Sequence, residues 1–248
     1  DSKSILEKLN QKFDWIYVDP SRRNETKGKV FLLKDCTPNV PELQNFYHTF
    51  SDNILIKTSP ILDFTSGINE LKDVSKIHII AVENEVKELL WEIKKNTNLP
   101  IHISAVNFNK EIKEIFEFEL NSNSVSTFSL PKKYLYEPNS AIMKSGGFSE
   151  ICSQFNLDKL HQHSHLYTSN ECVNFPGRVF KIENSFPFSK KEMALHLENK
   201  KINITTRNFP ETVESIRKKW KIKEGGNEYC FFTTDSNNNK IVLICSKI

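Results

Sequence analysis

In the first half of the chain, short apolar runs alternate with apolar residues at helical spacing. Ile5, Leu6, Leu9 and Phe13 share one helical face, so residues 4–13 read as a helix capped by Ser4 or Ser2. Residues 15–19 follow as a strand, Trp-Ile-Tyr-Val-Asp. A run that is apolar on both faces suits a central parallel strand covered by helices on each side. Pro20 cannot donate to a ladder and holds Asp19 extended, which places an acid at the carboxyl end of that strand. Open α/β sheets keep their ligands along that edge. Residues 24–29 are a polar loop and Val30-Phe31-Leu32-Leu33 an apolar run. Residues 41–50 carry Leu43, Phe46, Tyr47 and Phe50 on one helical side, with Pro41 in the first turn. A strand is predicted over 53–58 and closed by Pro60, a short helix over 68–74, and a strand over 76–82. In 85–95, Val86, Leu89, Leu90 and Ile93 have helical spacing, while Leu90-Trp91 leaves a continued strand open. Strands at 101–108 and 116–120 complete this half.

Residues 121–129 are rich in Ser and Asn and lack a core pattern, so the domain boundary falls there, giving domains 1–128 and 129–248. The second half reads as helix 140–155 interrupted by Gly146-Gly147, an extended stretch 161–168 and a strand 178–182. Helix 189–199 follows, in which Ser189 caps and Glu192 completes a capping box. Then come strand 202–206, helix 211–219, and a hairpin of 228–234 with 240–246 around Asp235-Ser-Asn-Asn-Asn. A β-α-β-α-β-β order gives a small α+β sheet with helices on one face.

Composition changes this picture in three places. With 248 residues, of which 38% are apolar, the chain can build two cores. Only 7 residues are Gly, and Gly28 and Gly67 are the two before residue 130, which argues against a Gly-rich phosphate loop. The five cysteines (Cys36, Cys152, Cys172, Cys230 and Cys245) include no Cys-x-x-Cys pair. Unpaired thiols in a reducing cytoplasm are the expectation, mostly buried and structural. Residues 1–129 hold 16 Lys+Arg against 19 Asp+Glu, and residues 130–248 hold 18 against 12. That asymmetry suits a module facing a polyanion, although a solvated basic surface fits it too. No apolar run reaches the length of a membrane span.

Asp19-Pro20-Ser21-Arg22-Arg23 after a hydrophobic strand resembles the fourth motif of class I S-adenosylmethionine-dependent methyltransferases. Further support comes from Ile54-Leu55-Ile56-Lys57-Thr58-Ser59-Pro60-Ile61-Leu62-Asp63, from Val82-Glu83-Asn84-Glu85-Val86-Lys87-Glu88-Leu89-Leu90, and from Tyr136-Glu137-Pro138-Asn139-Ser140-Ala141-Ile142. In this order the four stretches resemble bacterial methyltransferases that carry a THUMP-like domain after the catalytic one. The resemblance implies an α/β fold: the C-terminal half of a Rossmann-like methyltransferase sheet, closed by an antiparallel hairpin, then a small α+β, ferredoxin-related, THUMP-like domain. It implies S-adenosyl-L-methionine as cofactor and Asp19, Pro20 and Ser21 as the catalytic turn, where acid and carbonyl orient a target amine. Ser21 replaces the usual second Pro, and no aromatic residue follows to stack on a base. The acidic-Gly-x-Gly turn that such enzymes use for the cofactor has no counterpart here, and the first residue is Asp1. The chain is therefore expected to be a fragment, inactive alone, with cofactor-binding residues unknown. Its exposed sheet edge is expected to invite dimerisation.

The plain alternative for Asp19-Pro20 is a strand-ending turn. Arg22 and Arg23 could hold a substrate phosphate or pair with acids such as Glu25 or Asp63. Lys57, Ser59 and Asp63 end the next strand on the same edge and could line the substrate mouth, or simply form a capped turn. The densest basic run is Arg217-Lys218-Lys219-Trp220-Lys221-Ile222-Lys223, where cations alternate with apolar anchors. It suits an RNA backbone, or an ordinary helix end whose dipole the cations offset. Lys132 and Lys133 could extend the same surface. His161, His163 and His165 would share one face of a strand, but their polar neighbours and missing fourth ligand favour a solvated loop over a metal site. The function expected is methyl transfer to RNA. The rivals are a non-catalytic RNA-binding or assembly module, and a methyltransferase for protein or a small molecule.

Overall fold

A computed structural model describes residues 2–24, 28–29, 32–62, 64–110 and 112–248. The chain forms two compact units. The first comprises residues 1–122 with 140–145, and the second residues 123–139 with 146–248.

The first unit begins with α1 (Ser2–Leu9) and β1 (Ile16–Val18). A two-residue ladder, β2 (Arg23–Asn24) with β3 (Gly28–Lys29), and a 3-10 turn at Leu33–Asp35 come next. They lead to α2 (Val40–Tyr47), β4 (Asn53–Thr58), α3 (Phe64–Glu70) and β5 (Val74–Val82). Then follow β6 (Glu85–Lys94), β7 (His102–Asn109) and β8 (Ile112–Glu119). Together they build a six-stranded sheet in the order β1-β4-β6-β5-β7-β8. β1 is parallel to β4, and β5 to β7; β6 runs antiparallel between β4 and β5.

The segment 85–95, which the pattern left open between helix and strand, is a strand over Glu85–Lys94. Glu83 and Asn84 both adopt left-handed φ (49° and 62°), the signature of a tight hairpin, and fold the chain straight back along β5. Burial then follows period two, at Leu89, Trp91 and Ile93, because pairing on both edges overrides the helical spacing. A correction concerns β1. Among the described residues it has β4 on one side and no strand on the other. Ile16 and Val18 are buried, but Trp15 is 47% exposed and Tyr17 57%. The strand is covered on one face only. On the covered face, Ile54, Ile56, Ile77, Ile79, Leu89, Trp91 and Ile103 are fully buried. Each contributes about 1.5–3 kcal/mol to the core. Gly67 of α3 lets that helix lie directly on the Trp91 ring, where a Cβ would stand 2.4 Å from Cη2.

The second unit contains β9 (Tyr134–Pro138), α5 (Phe148–Phe155), β10 (Asp158–Lys159), β11 (Tyr167–Ser169) and β12 (Gly177–Pro187). It continues with α6 (Lys190–His196), β13 (Asn203–Thr206), α7 (Val213–Trp220), β14 (Glu228–Thr234) and β15 (Lys240–Lys247). The sheet order is β10-β11-β9-β12-β15-β14-β13. β12 pairs with β9 along one edge, over residues 177–181, and with β15 along the other, over residues 180–187, across a bulge at Ile182/Asn184. Met193 and Leu197, with Ile216 and Trp220 from α7, pack on Cys230, Phe232, Val242 and Ile244. The opposite face, Phe180, Phe231, Leu243 and Cys245, is covered by Leu160 and Leu166 from a loop. Ser189 Oγ accepts from Glu192 N–H at 3.2 Å, the cap expected for α6. Between β9 and α5 the chain enters the first unit as α4 (Ser140–Ser145), which packs against β5, β6 and β7. Ser140 N–H donates to Asn84 Oδ1 at 2.7 Å, and Asn84 N–H to Asn107 Oδ1 at 3.0 Å.

Candidate functional site

The parallel register of β1 on β4 sets Val18 beside Ile56, so the next residues, Asp19 and Lys57, emerge side by side. By strand alternation both point to the face of Tyr17 and Leu55, away from the core. Lys57 Nζ lies 2.6 Å from Asp19 Oδ2, with the side chains 33% and 48% exposed. The hydrogen bond to Asp19 is the main reason the Lys57 ammonium is held above the usual lysine range. The pair is solvated and contributes little stability. Its importance is positional: the carboxylate stands at a strand tip, in the open, already holding one cation.

The surrounding backbone is fixed. Pro20 is buried, and Ser21 forms a two-bond bridge with Thr37, N–H to O at 2.8 Å and back at 3.0 Å. On β4, Thr58 is 2% exposed and its Oγ1 accepts from Trp91 Nε1 at 2.9 Å. Ser59 closes the strand as a turn, its carbonyl accepting from Leu62 N–H at 3.1 Å. Arg22 is half-buried and close enough to Cys36 to bear on that thiol, whose pKa is raised above all by burial. Arg23 belongs to the ladder β2, where only the backbone is described. Its suggested partners, Glu25 and Asp63, lie outside the described residues.

In the second unit, Lys132 pairs with Asp158 and Lys133 lies over the Tyr134 ring at 5.3 Å. Arg217, Lys218 and Lys219 occupy the last turn of α7, and Lys221 follows in the left-handed conformation. Trp220 and Ile222 are buried between them. Lys219 is held by Glu211 Oε1 at 3.0 Å. Lys132 and Lys133 lead into β9, and α7 packs by β13, four strand positions away, about 19 Å.

The histidines sit on a turn and not on a strand. His161 Nδ1 accepts from Asn208 Nδ2 at 3.0 Å while Nε2 donates to Asn238 Oδ1 at 3.0 Å. His165 stacks on Phe148 at 3.8 Å. Desolvation first, then the positive charges of Lys159, Arg207 and His163, push the His165 pKa down to about 4. Cys36, Cys152, Cys230 and Cys245 are buried thiols, but Cys172 is exposed, against expectation. Burial raises the Cys245 pKa to about 12.

Two features escaped the sequence reading. Glu137, with its side chain 5% exposed, is clamped by two arginines. Arg178 binds its Oε2 through Nε at 2.6 Å and also through Nη2. Arg207 binds Oε1 through Nε at 3.2 Å and Nη2 at 2.9 Å. A lone acid in the apolar run Leu135-Tyr136-Glu137-Pro138 was the only signal. The second is a cleft of about 460 Å³ lined by Phe188, Lys190, Ala194, Glu198, Lys219 and Trp220.

Residues 134–176 match a ferredoxin-like domain family, and residues 177–247 match the THUMP domain-like family. The seven-stranded sheet is therefore built from both matched regions, joined where β9 pairs with β12. The crystal structure of a putative methyltransferase from Porphyromonas gingivalis W83 is similar over 99% of this chain and 62% of that one. The TM-score is 0.85 and the sequence identity 32%. The chain thus spans less than two thirds of that protein's length. No curated protein matches the sequence. The expected fold class holds: an α/β methyltransferase-like sheet followed by ferredoxin-like and THUMP-like α+β structure.

Proposed function

We propose that this chain carries the acceptor-orienting and RNA-binding parts of an S-adenosylmethionine-dependent methyltransferase acting on RNA in the cytoplasm. The observation that carries the reading is the Asp19 carboxylate at the open tip of β1, in a chain whose fold matches a methyltransferase-class structure. Lys57 holds Oδ2, which leaves Oδ1 to accept from the amine of a substrate nucleotide. The Ser21–Thr37 bridge fixes the turn, so the carboxylate is placed before substrate arrives. Arg22 and Arg23 follow in the chain and are the residues proposed to hold a substrate phosphate. When bound, the cofactor supplies an electrophilic methyl group. Gly67 lies within α3 against Trp91 and no second Gly accompanies it, so it does not serve as the glycine turn such enzymes use for the cofactor. The THUMP-like match and the basic end of α7 support RNA as the substrate class.

The occupation of Asp19 by Lys57 favours one rival, an RNA-binding module with no catalysis of its own. Labelled methyl transfer separates the readings. The natural full-length protein is incubated with tritiated cofactor, and RNA, protein and metabolite fractions are counted. Label in RNA that is lost in Asp19→Ala is expected. Label in another fraction, or none at all with RNA affinity retained, overturns the proposal. The open edge of β1 is also proposed as a self-association edge. Light scattering should then give a dimer for this chain, and a monomer at all concentrations refutes that part.

A further inference from the structure

The cleft beside α6 and α7 combines aromatic walls with cationic and carboxylate side chains. Its volume, about 460 Å³, falls in the range of small-ligand sites. Two aromatic walls are held rigid. Phe188 meets Phe209 edge-on at 5.0 Å and Phe232 at 6.0 Å, and Trp220 is 8% exposed within the core. Lys219 Nζ lies over the rings, 5.7 Å from the Phe188 centre and 5.9 Å from that of Trp220, while paired with Glu211 Oε1 at 3.0 Å. Lys190 brings a second, exposed cation. The one carboxylate in the lining is Glu198, exposed and without a cation partner among the described residues.

These groups specify a ligand. Rigid ring faces take a flat aromatic body, and stacking of bases on aromatic side chains is the common currency of single-strand binding. The exposed ammonium of Lys190 takes a phosphate attached to that body. A free carboxylate accepts N–H bonds and repels carbonyl oxygen, so it favours an exocyclic amine over the uracil N3–H, which lies between two carbonyls. We infer that the cleft binds an unpaired nucleotide whose base carries an exocyclic amine (cytosine, adenine or guanine) and disfavours uracil. This deepens the RNA reading above and rests on it for the source of the nucleotide. The flanking cations Lys191, Lys218 and Lys221 are exposed and suit the continuing backbone.

The test is calorimetric titration of the whole chain with CMP, AMP, GMP and UMP at low salt, with inorganic phosphate as competitor. The three amine-bearing nucleotides should bind at least about fivefold more tightly than UMP. Ala194→Trp, at an exposed helix position, fills the cleft and should abolish binding. Glu198→Gln should bring CMP and UMP within about twofold of each other, because an amide serves both. If Ala194→Trp alters the circular dichroism spectrum, Glu198→Gln carries the test alone. Equal binding of all four nucleotides, displacement of CMP by phosphate at the affinity of CMP itself, or unchanged binding in a folded Ala194→Trp each overturns the inference. Nucleotide discrimination without methyl label in RNA refutes the acceptor reading and leaves the cleft standing. RNA label without discrimination does the reverse.

Discussion

Replacing Glu137 by Gln should destabilise the second unit by about 2–4 kcal/mol. The carboxylate accepts four bonds from Arg178 and Arg207 and is itself only 5% exposed. The amide keeps one acceptor oxygen and turns an NH2 group towards a guanidinium, so one arginine loses its partner and meets a donor in its place. Breaking a fully buried ion pair costs roughly 3–5 kcal/mol. Here the arginine side chains are 39% and 36% exposed and recover part of their hydration, which lowers the figure. Hydrogen exchange of peptides from β9 and β12 measures the effect within one unit of a two-unit chain, where a single melting temperature would not. An increase of roughly 30- to 700-fold in the opening constant corresponds to that range. Glu228→Gln, at an exposed position in the same sheet, is the control and should stay within about 0.5 kcal/mol. If Glu137→Gln exchanges no faster than this control, the clamp does not hold the sheet together.

In the first unit, Gly67→Ala puts a Cβ 2.4 Å from Cη2 and 2.8 Å from Cζ2 of the fully buried Trp91. Overpacking of about 1–3 kcal/mol should outweigh the ~1 kcal/mol gained in helix propensity. Urea denaturation checks the sign, and a more stable variant would refute the contact. His165 should titrate near 4 by NMR, well below an ordinary histidine. Between about 4 and the unperturbed value of about 6.5 the unfolded chain then binds the extra proton and the folded chain does not. Stability therefore rises with pH across that window and is lost as pH falls through it; a midpoint near 6.5 would refute the assignment. Asp19→Asn should let the Lys57 pKa fall back from its raised position, because the carboxylate is its main cause. A side-chain ammonium titration that does not move would show that the pair does not form.

Much of the path of the chain could be read from its punctuation. Pro20 and Pro60 end β1 and β4, and Ser189 with Glu192 opens α6, because each acts on its own backbone. The Asp19 tip follows from the same local rule. What stayed hidden was set by partners distant in sequence. The strand at 85–94 depends on pairing with β4, more than thirty residues upstream. Glu137 meets Arg178 and Arg207 across 41 and 70 positions, and no spacing rule links them. The Lys57–Asp19 pair needed only the parallel register of two strands, and could have been drawn from the two Pro-terminated runs.

The placement of α4 bears on how the two halves can be handled. Its six residues leave the second unit after β9, pack on three strands of the first, and return for α5. A single cut near residue 128 would strip Ala141 and Ile142 from the sheet they bury and leave them in water at the other end of the break. Either half expressed on its own would carry a greasy scar, and the methyltransferase-like sheet would lack a piece that chain order assigns to its neighbour. The two must therefore mature together, and a swapped second domain could serve this sheet only if it brought the same hexapeptide with it.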